Sequence, residues 1–277
     1  MTHVKQAVFL ARVRGYDTVL ESMLAPQNLP EAVFHNLIDV YQNHLPVWHR
    51  YWDIRRKALG VDVLRPYDIW APLTPDPPAV DFAQAVDWIG EAVRPLGEEY
   101  VSVLRRGCLE ERWVDYAPNA GKVGGARSMP SFDMPPFIFM SYVDNPMSMS
   151  TLAHELGHSM HAYFMDRHQP DIYNGFGSMA VAETASNLNQ ALTRAYLLQV
   201  KSDDAVFQLA LIEEAMDNFH RYFFIMPTLA RFELEVYTRA EAGHTLTAHD
   251  LNRILADLYA EGYGAALSDD PVRTGIT

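Results

Sequence analysis

A single cysteine, Cys108, serves the whole 277-residue chain. An intramolecular disulfide is therefore excluded, and so is a zinc site built mainly from thiolates; a reducing compartment fits. Cys108 itself reads as a small core residue. Basic residues are scarce too: 22 Lys and Arg face 35 Asp and Glu, for a net charge of −13. No Lys/Arg-rich run offsets that balance, which argues against a nucleic-acid partner, because phosphate binding requires a basic patch. The acidity reads instead as ordinary solubility. No apolar run reaches the roughly 18 residues of a membrane span. Met1-Thr2-His3-Val4-Lys5 does not open the long apolar run of a secretory leader. Gly-rich phosphate loops and a serine nucleophile elbow are missing as well. The expectation is a soluble, cytoplasmic protein with neither membrane nor nucleic acid as partner.

What is present is mostly helical pattern. Hydrophobic residues make up 49% of the chain, enough for a substantial core. Residues 2–13 place Val4, Ala7, Val8 and Ala11 on one side, and Gly15 ends the run. A second helical stretch runs from Pro30 to about Leu59, with Pro46 inside it as a kink or break. Residues 60–78 carry five prolines and read as an irregular loop, internal to one domain spanning 1–277. Helix resumes over about 80–107, interrupted at Pro95 and Gly97. Residues 116–135 read as loop, and 136–142, Pro-Phe-Ile-Phe-Met-Ser-Tyr, as the best strand. Asn145-Pro146 then supplies an N-cap and a first-turn proline. Helical segments are expected over about 146–167, 177–200, 203–242 and 247–262, with a kink at Pro227.

The chemistry concentrates in Thr151-Leu152-Ala153-His154-Glu155-Leu156-Gly157-His158, a His-Glu-x-x-His pattern within helix. Four residues span about 400° of helix, which leaves the imidazoles about 40° apart and about 6 Å along the axis. Both can then reach one ion at about 2 Å. Glu155, one step round, reaches a water on such an ion rather than the ion, as a general base must. The competing reading is a solvent-facing His pair on an ordinary helix. Apolar Leu152, Ala153, Leu156 and Ala162 argue for burial instead, and buried imidazoles need partners. Gly157 costs about 1 kcal/mol against Ala in a helix interior, which asks for close approach of another backbone.

A catalytic zinc site requires a third protein ligand and an open position. Glu183, 25 residues after His158, is the candidate. Ser186, Asn187 and Gln190 follow it at +3, +4 and +7 on a polar face, and Val181, Ala185, Leu188 and Leu192 form the apolar one. Small neutral residues without Lys or Arg before Arg194 suggest a satisfied buried network rather than a solvated surface.

Residues 154–164, HELGHSMHAYF, resemble the zinc helix of oligoendopeptidase F, a relative of thimet oligopeptidase. Residues 181–186, VAETAS, resemble that family's second zinc helix at the same spacing. Residues 65–73 (RPYDIWAPL), 121–126 (GKVGGA) and 240–243 (AEAG) resemble further family segments in the same order. The resemblance implies a mainly α-helical, zincin-like catalytic domain with a small β-sheet beside the active site. It implies one zinc ion on His154, His158 and Glu183, Glu155 as base, and short peptides as substrates. Family members are longer at both ends, and the family's segment beyond the end of this chain, 273–277, supplies His and Tyr oxyanion donors. Gln190 stands where the family has Glu. Two readings follow: a zinc endopeptidase acting on oligopeptides, or a metal-binding but catalytically weak relative, either shortened or one part of a two-chain peptidase. A homo-oligomer or a complementing chain fits as partner. A helical interaction module would require the His pair to be accidental.

Other candidates are weaker. His161 shares the His154 face and reads equally as an accessory to the site or as a packed residue. His220, Tyr222, Phe223 and Phe224 read as core at helical spacing rather than as transition-state groups. His44, His49, His244 and His249 sit in no motif. The 136–142 strand is expected at a sheet edge near the metal, open to pair with an extended peptide.

Overall fold

A computed structural model describes residues 1–74, 76–170 and 177–267. Pro75 of the proline-rich loop and the terminal 273–277 stretch lie outside them. The chain forms two compact units: residues 74–216 are one, and 1–73 together with 217–277 are the other. The boundary at 73/74 falls within the proline-rich 60–78 loop.

The discontinuous unit is helical. It contains α1 (Thr2–Val13), α2 (Val19–Leu24), α3 (Glu31–Asn43) and α4 (Leu45–Ala58) from its first part. Its second part adds α10 (Met226–Glu241) and α11 (Ala248–Tyr263). The expected break at Pro46 is a change of helix at His44, with Pro46 in the first turn of α4, where its missing N–H costs nothing. Helix α2 escaped the sequence reading; Thr18 caps it by accepting from the Glu21 N–H at 3.0 Å. The 60–78 loop holds one 3₁₀ turn, Pro66–Trp70. Buried Arg55 ties that turn down by donating to the carbonyls of Asp68 and Ala71.

The core of this unit is aromatic. Trp52 packs within 4.8 Å of the Tyr263 ring and 4.9 Å of His220, and Phe224 lies 4.6 Å from Tyr263. His220 and Phe224 are therefore packing residues, while Phe223 is exposed. A π-helical turn, Arg221–Ile225, leads directly into α10, whose second residue is Pro227. Widening there keeps the proline ring off the carbonyl four residues back.

The continuous unit contains α5 (Phe82–Ala92), α6 (Glu98–Leu109), α7 (Pro146–His168) and α8 (Met179–Val200). It also holds most of α9 (Ala205–His220) and a sheet of β1 (Val114–Asp115), β2 (Ala126–Met129) and β3 (Phe137–Met140). Asn145 caps α7 by accepting from the Ser148 N–H, with Pro146 in the first turn. Apolar side chains of α5, α6, α7 and β3 make one core, which also buries Cys108. Burial pushes the Cys108 thiol up to about 12, so it stays protonated.

The strand order is β1-β3-β2, with β1 parallel and β2 antiparallel to β3. This corrects the expectation of an edge strand at 136–142: β3 is central, and both its sides are paired. The edge strands are β1 and β2, and β2 lies against α7, where Ser128 Oγ and Ser159 Oγ are 2.9 Å apart. The misreading has a physical source. Ala-Arg-Ser-Met carries no β-branched or aromatic run, and β1 is only two residues long, so neither partner of β3 announces itself.

His220 makes a linkage prediction. It is 2% exposed, shares a 3.1 Å hydrogen bond with Tyr263 OH, and burial, helped by the Arg55 charge, holds its pKa down to about 4. Below the ordinary histidine value the unfolded chain takes up a proton that the folded chain refuses. Its contribution is thus complete at neutral pH and lost as pH falls from about 6.5 toward 4. Urea unfolding of wild type and His220→Gln at pH 7 and pH 5 should show the stability gap between them shrinking by about 2 kcal/mol at the lower pH. A gap that stays constant would refute the buried neutral imidazole.

Candidate metal centre

Helix α7 turns the two histidines to one side. His154 Nε2 and His158 Nε2 lie 3.2 Å apart. Glu183 Oε2, from the second turn of α8, is 3.4 Å from the first and 3.7 Å from the second. Among the described residues this is the one cluster of three His, Cys, Asp or Glu donors able to hold an ion. The imidazoles are 14% exposed and the Glu183 side chain 35%, so the triangle is sunk but reachable. A tetrahedral ion with ligands at about 2.0–2.1 Å sets its donor atoms about 3.3 Å from one another, close to all three observed separations. The donor set, two imidazole nitrogens and one carboxylate, also suits zinc chemistry.

The geometry depends on two helices approaching closely. At Gly157, an added Cβ would stand 2.6 Å from both Ala185 O and Ser186 Cα on α8. The glycine thus admits the α8 backbone, as its place in the motif suggests. Leu152, Ala153, Leu156 and Ala162 are all buried, so the surface reading of the His pair fails.

Helix α8 is amphipathic in the opposite sense to the usual one. Its buried residues are Ala182, Ser186, Asn189, Gln190, Thr193 and Leu197. Val181 and Leu188, of the apolar face, are 55% and 44% exposed, and the buried side is the polar one, as its small neutral residues suggest. The inverted face serves the site. Ser186 Oγ donates to Glu183 Oε2 at 2.8 Å and orients that carboxylate. His154 Nδ1 meets Gln190 Oε1 at 2.9 Å, which leaves Nε2 facing the other donors.

Glu155 is 6% exposed and stands close enough to His154 and Glu183 to feel both. Burial raises its pKa, the Glu183 charge adds to that, and His154 and the Ser128 backbone N–H partly offset it. A carboxyl tuned upward is a better proton acceptor near neutrality than a solvated one. Burial, with help from neighbouring His154, lowers the pKa of His158 and favours the neutral, ligand form. His161 lies on the same helix, with its pKa lowered by burial, and does not join the donor triangle.

Sequence reasoning missed Ser150 and Glu214. Ser150 Oγ accepts from Gln190 Nε2 at 2.9 Å and donates to Glu214 Oε1 at 2.5 Å. Neither residue belongs to a motif. The one hint in the sequence is that Ser150 stands four residues, about one helical turn, before His154.

The profile of peptidase family M3 matches residues 1–274. Oligopeptidase PepF of Bacillus subtilis is 37% identical over 268 residues, covering 96% of this chain and 40% of that protein. A crystal structure from Chlamydophila abortus superposes with a TM-score of 0.82 at 31% identity, over 98% of this chain and 45% of that one. Oligoendopeptidase-F from Enterococcus faecium gives a TM-score of 0.69 at 28% identity, over 99% of this chain and 42% of that one. The chain spans less than half the length of these relatives.

Gly157→Ala tests the helix contact. Helix propensity alone favours alanine by about 1 kcal/mol. Here the new methyl meets backbone, which cannot move aside cheaply, and overpacking of this kind costs about 1–3 kcal/mol. Thermal unfolding should show a lower Tm for the variant; an unchanged or higher Tm would mean that α7 and α8 are not in contact at this point.

Proposed function

The chain belongs to peptidase family M3, and on that premise we propose that it is a zinc-dependent endopeptidase hydrolysing peptide bonds of short oligopeptides. His154, His158 and Glu183 hold the ion and Glu155 is the general base. The supporting observation is the donor triangle, with a buried, proton-seeking carboxylate beside it. Names of relatives point the same way: an oligopeptidase and an oligoendopeptidase.

When bound, the ion supplies Lewis acidity toward the scissile carbonyl and makes water a stronger acid. The remaining work falls to the chain. Ser186 holds Glu183 and Gln190 holds His154, so these two donors are oriented before any ion arrives. Glu155 takes the proton of the attacking water and returns it to the departing amine. The Ser128 backbone N–H holds that carboxylate in place for the transfer. Strand β2 carries Ser128 on the sheet's edge, so the sheet positions the base as well as bordering the site.

Metal content tests the ligand set. Dialysed wild type should retain one zinc per chain, and His154→Ala should retain much less, as measured by elemental analysis. Equal zinc in the two proteins would remove the assignment.

Glu155→Gln separates base from ligand. Zinc content should stay at one per chain while hydrolysis of a quenched oligopeptide falls by about 10²–10⁴-fold, the usual contribution of a positioned acid–base group. Hydrolysis by the variant at the wild-type rate would exclude Glu155 as the base.

A further inference from the structure

Behind His154 runs a buried chain of hydrogen bonds whose direction is imposed from its far end. Glu214, on α9, is 3% exposed and accepts from Arg194 Nε at 2.7 Å and Nη2 at 3.0 Å. A carboxylate held in this bidentate way only accepts. The Ser150 hydroxyl therefore points its one proton at Glu214 Oε1 and keeps its lone pairs for the next group. Gln190 must therefore donate from its NH₂ to the Ser150 hydroxyl oxygen, and Gln190 Nε2 lies 2.9 Å from Ser150 Oγ. Its carbonyl oxygen is then committed to His154 Nδ1.

The reversed amide does not fit. It would set the Gln190 oxygen against a Ser150 oxygen whose proton is already spent, and an NH₂ group against His154 Nδ1. An amide alone has no preference between these two arrangements, since it presents a donor and an acceptor of nearly equal size. Ser150 and Gln190 are 6% and 7% exposed, so water is poorly placed to repair the mismatch.

We propose that Glu214 is a positioning residue: acting through Ser150 and Gln190, it dictates that His154 carries its proton on Nδ1 and presents the Nε2 lone pair to the donor triangle. That the lone pair serves a metal rests on the function proposed above; the tautomer itself does not. Partners of a ligating histidine typically contribute about 10–100-fold in metal affinity. Here a share of that contribution originates three hydrogen bonds from the ring.

The test uses the full chain, ¹⁵N-labelled and metal-free at pH 8, with the His154 tautomer read from long-range ¹H–¹⁵N correlations. Zinc affinity is read separately by chelator competition. Wild type should show a single Nδ1–H tautomer. Ser150→Ala keeps the Glu214–Arg194 pair intact yet cuts the chain; it should show mixed tautomers and bind zinc about tenfold more weakly. Glu214→Gln should do the same, and if it fails to fold, Ser150→Ala carries the test. Adding Gln190→Glu to Ser150→Ala should restore the single tautomer, because a carboxylate accepts from Nδ1 without instruction. A structural role for Ser150 would not be rescued in this way. A single wild-type tautomer retained in Ser150→Ala, or no rescue by Gln190→Glu, overturns the proposal. Wild type that keeps the Nδ1–H tautomer but binds no zinc overturns the metal reading instead and leaves this one standing.

Discussion

With only a hydrogen at position 157, the backbones of α7 and α8 close to a distance that no side chain permits. That approach governs the site. Glu183 has a short side chain and must span the gap between helices to sit within 3.4–3.7 Å of both imidazole nitrogens. Move α8 outward by the thickness of a methyl group and the triangle opens, while the His pair on α7 remains intact. The histidine spacing is a property of one helix; the third donor is a property of how two helices pack. Gly157 is where the second property is written.

Close approach has an electrostatic consequence. Small residues line the α8 face, and several are polar: Ser186 and Asn189 are fully buried and Gln190 nearly so. Each polar group taken from water must find a partner or cost about 1–3 kcal/mol. Ser186 bonds Glu183, Thr193 Oγ1 bonds the Asn189 carbonyl, and Asn189 Oδ1 accepts from Tyr100 OH. Burial pushes the Tyr100 hydroxyl up to about 12, which keeps it a donor. Asn189 Nδ2 is the exception, buried with no acceptor among the described residues. The inward face of α8 therefore carries a nearly complete set of directed bonds, which fixes side-chain orientation as apolar contact does not.

This explains which features could be read from the sequence. The α7 start, the His pair and the Gly157 contact were legible, because each follows from helical spacing or from one residue's local demand, whereas Glu183 was singled out by its distance from the His pair and by the family resemblance. The breaks at Pro46 and Gly97 were legible for the same reason. The sheet was not. Two of its strands are too short or too polar to show a period, and the placement of β3 between them depends on residues distant in sequence. Helix α2, six residues long, offers too few turns for a periodic signal. Ser150 and Glu214 were invisible because their roles exist only once α7, α8 and α9 are together.

Helix α8 gives the sharpest instance. Its apolar residues, read by the ordinary rule, should face inward; Val181 and Leu188 face out, and serine, asparagine and glutamine face in. A stable helix can be built more easily the other way round. Sequences break such local rules where a site demands it, and the compensation is found nearby. Here the compensation is the Glu214–Arg194 pair, which supplies a fixed charge to orient neutral groups that would otherwise have two equivalent arrangements. Keeping the charge there, away from the donor triangle, has a further effect. Glu155 and Glu183 already place two carboxylates beside the histidines. A third in direct contact with His154 would add to the repulsion that each feels, whereas a neutral amide in that position transmits direction without adding charge.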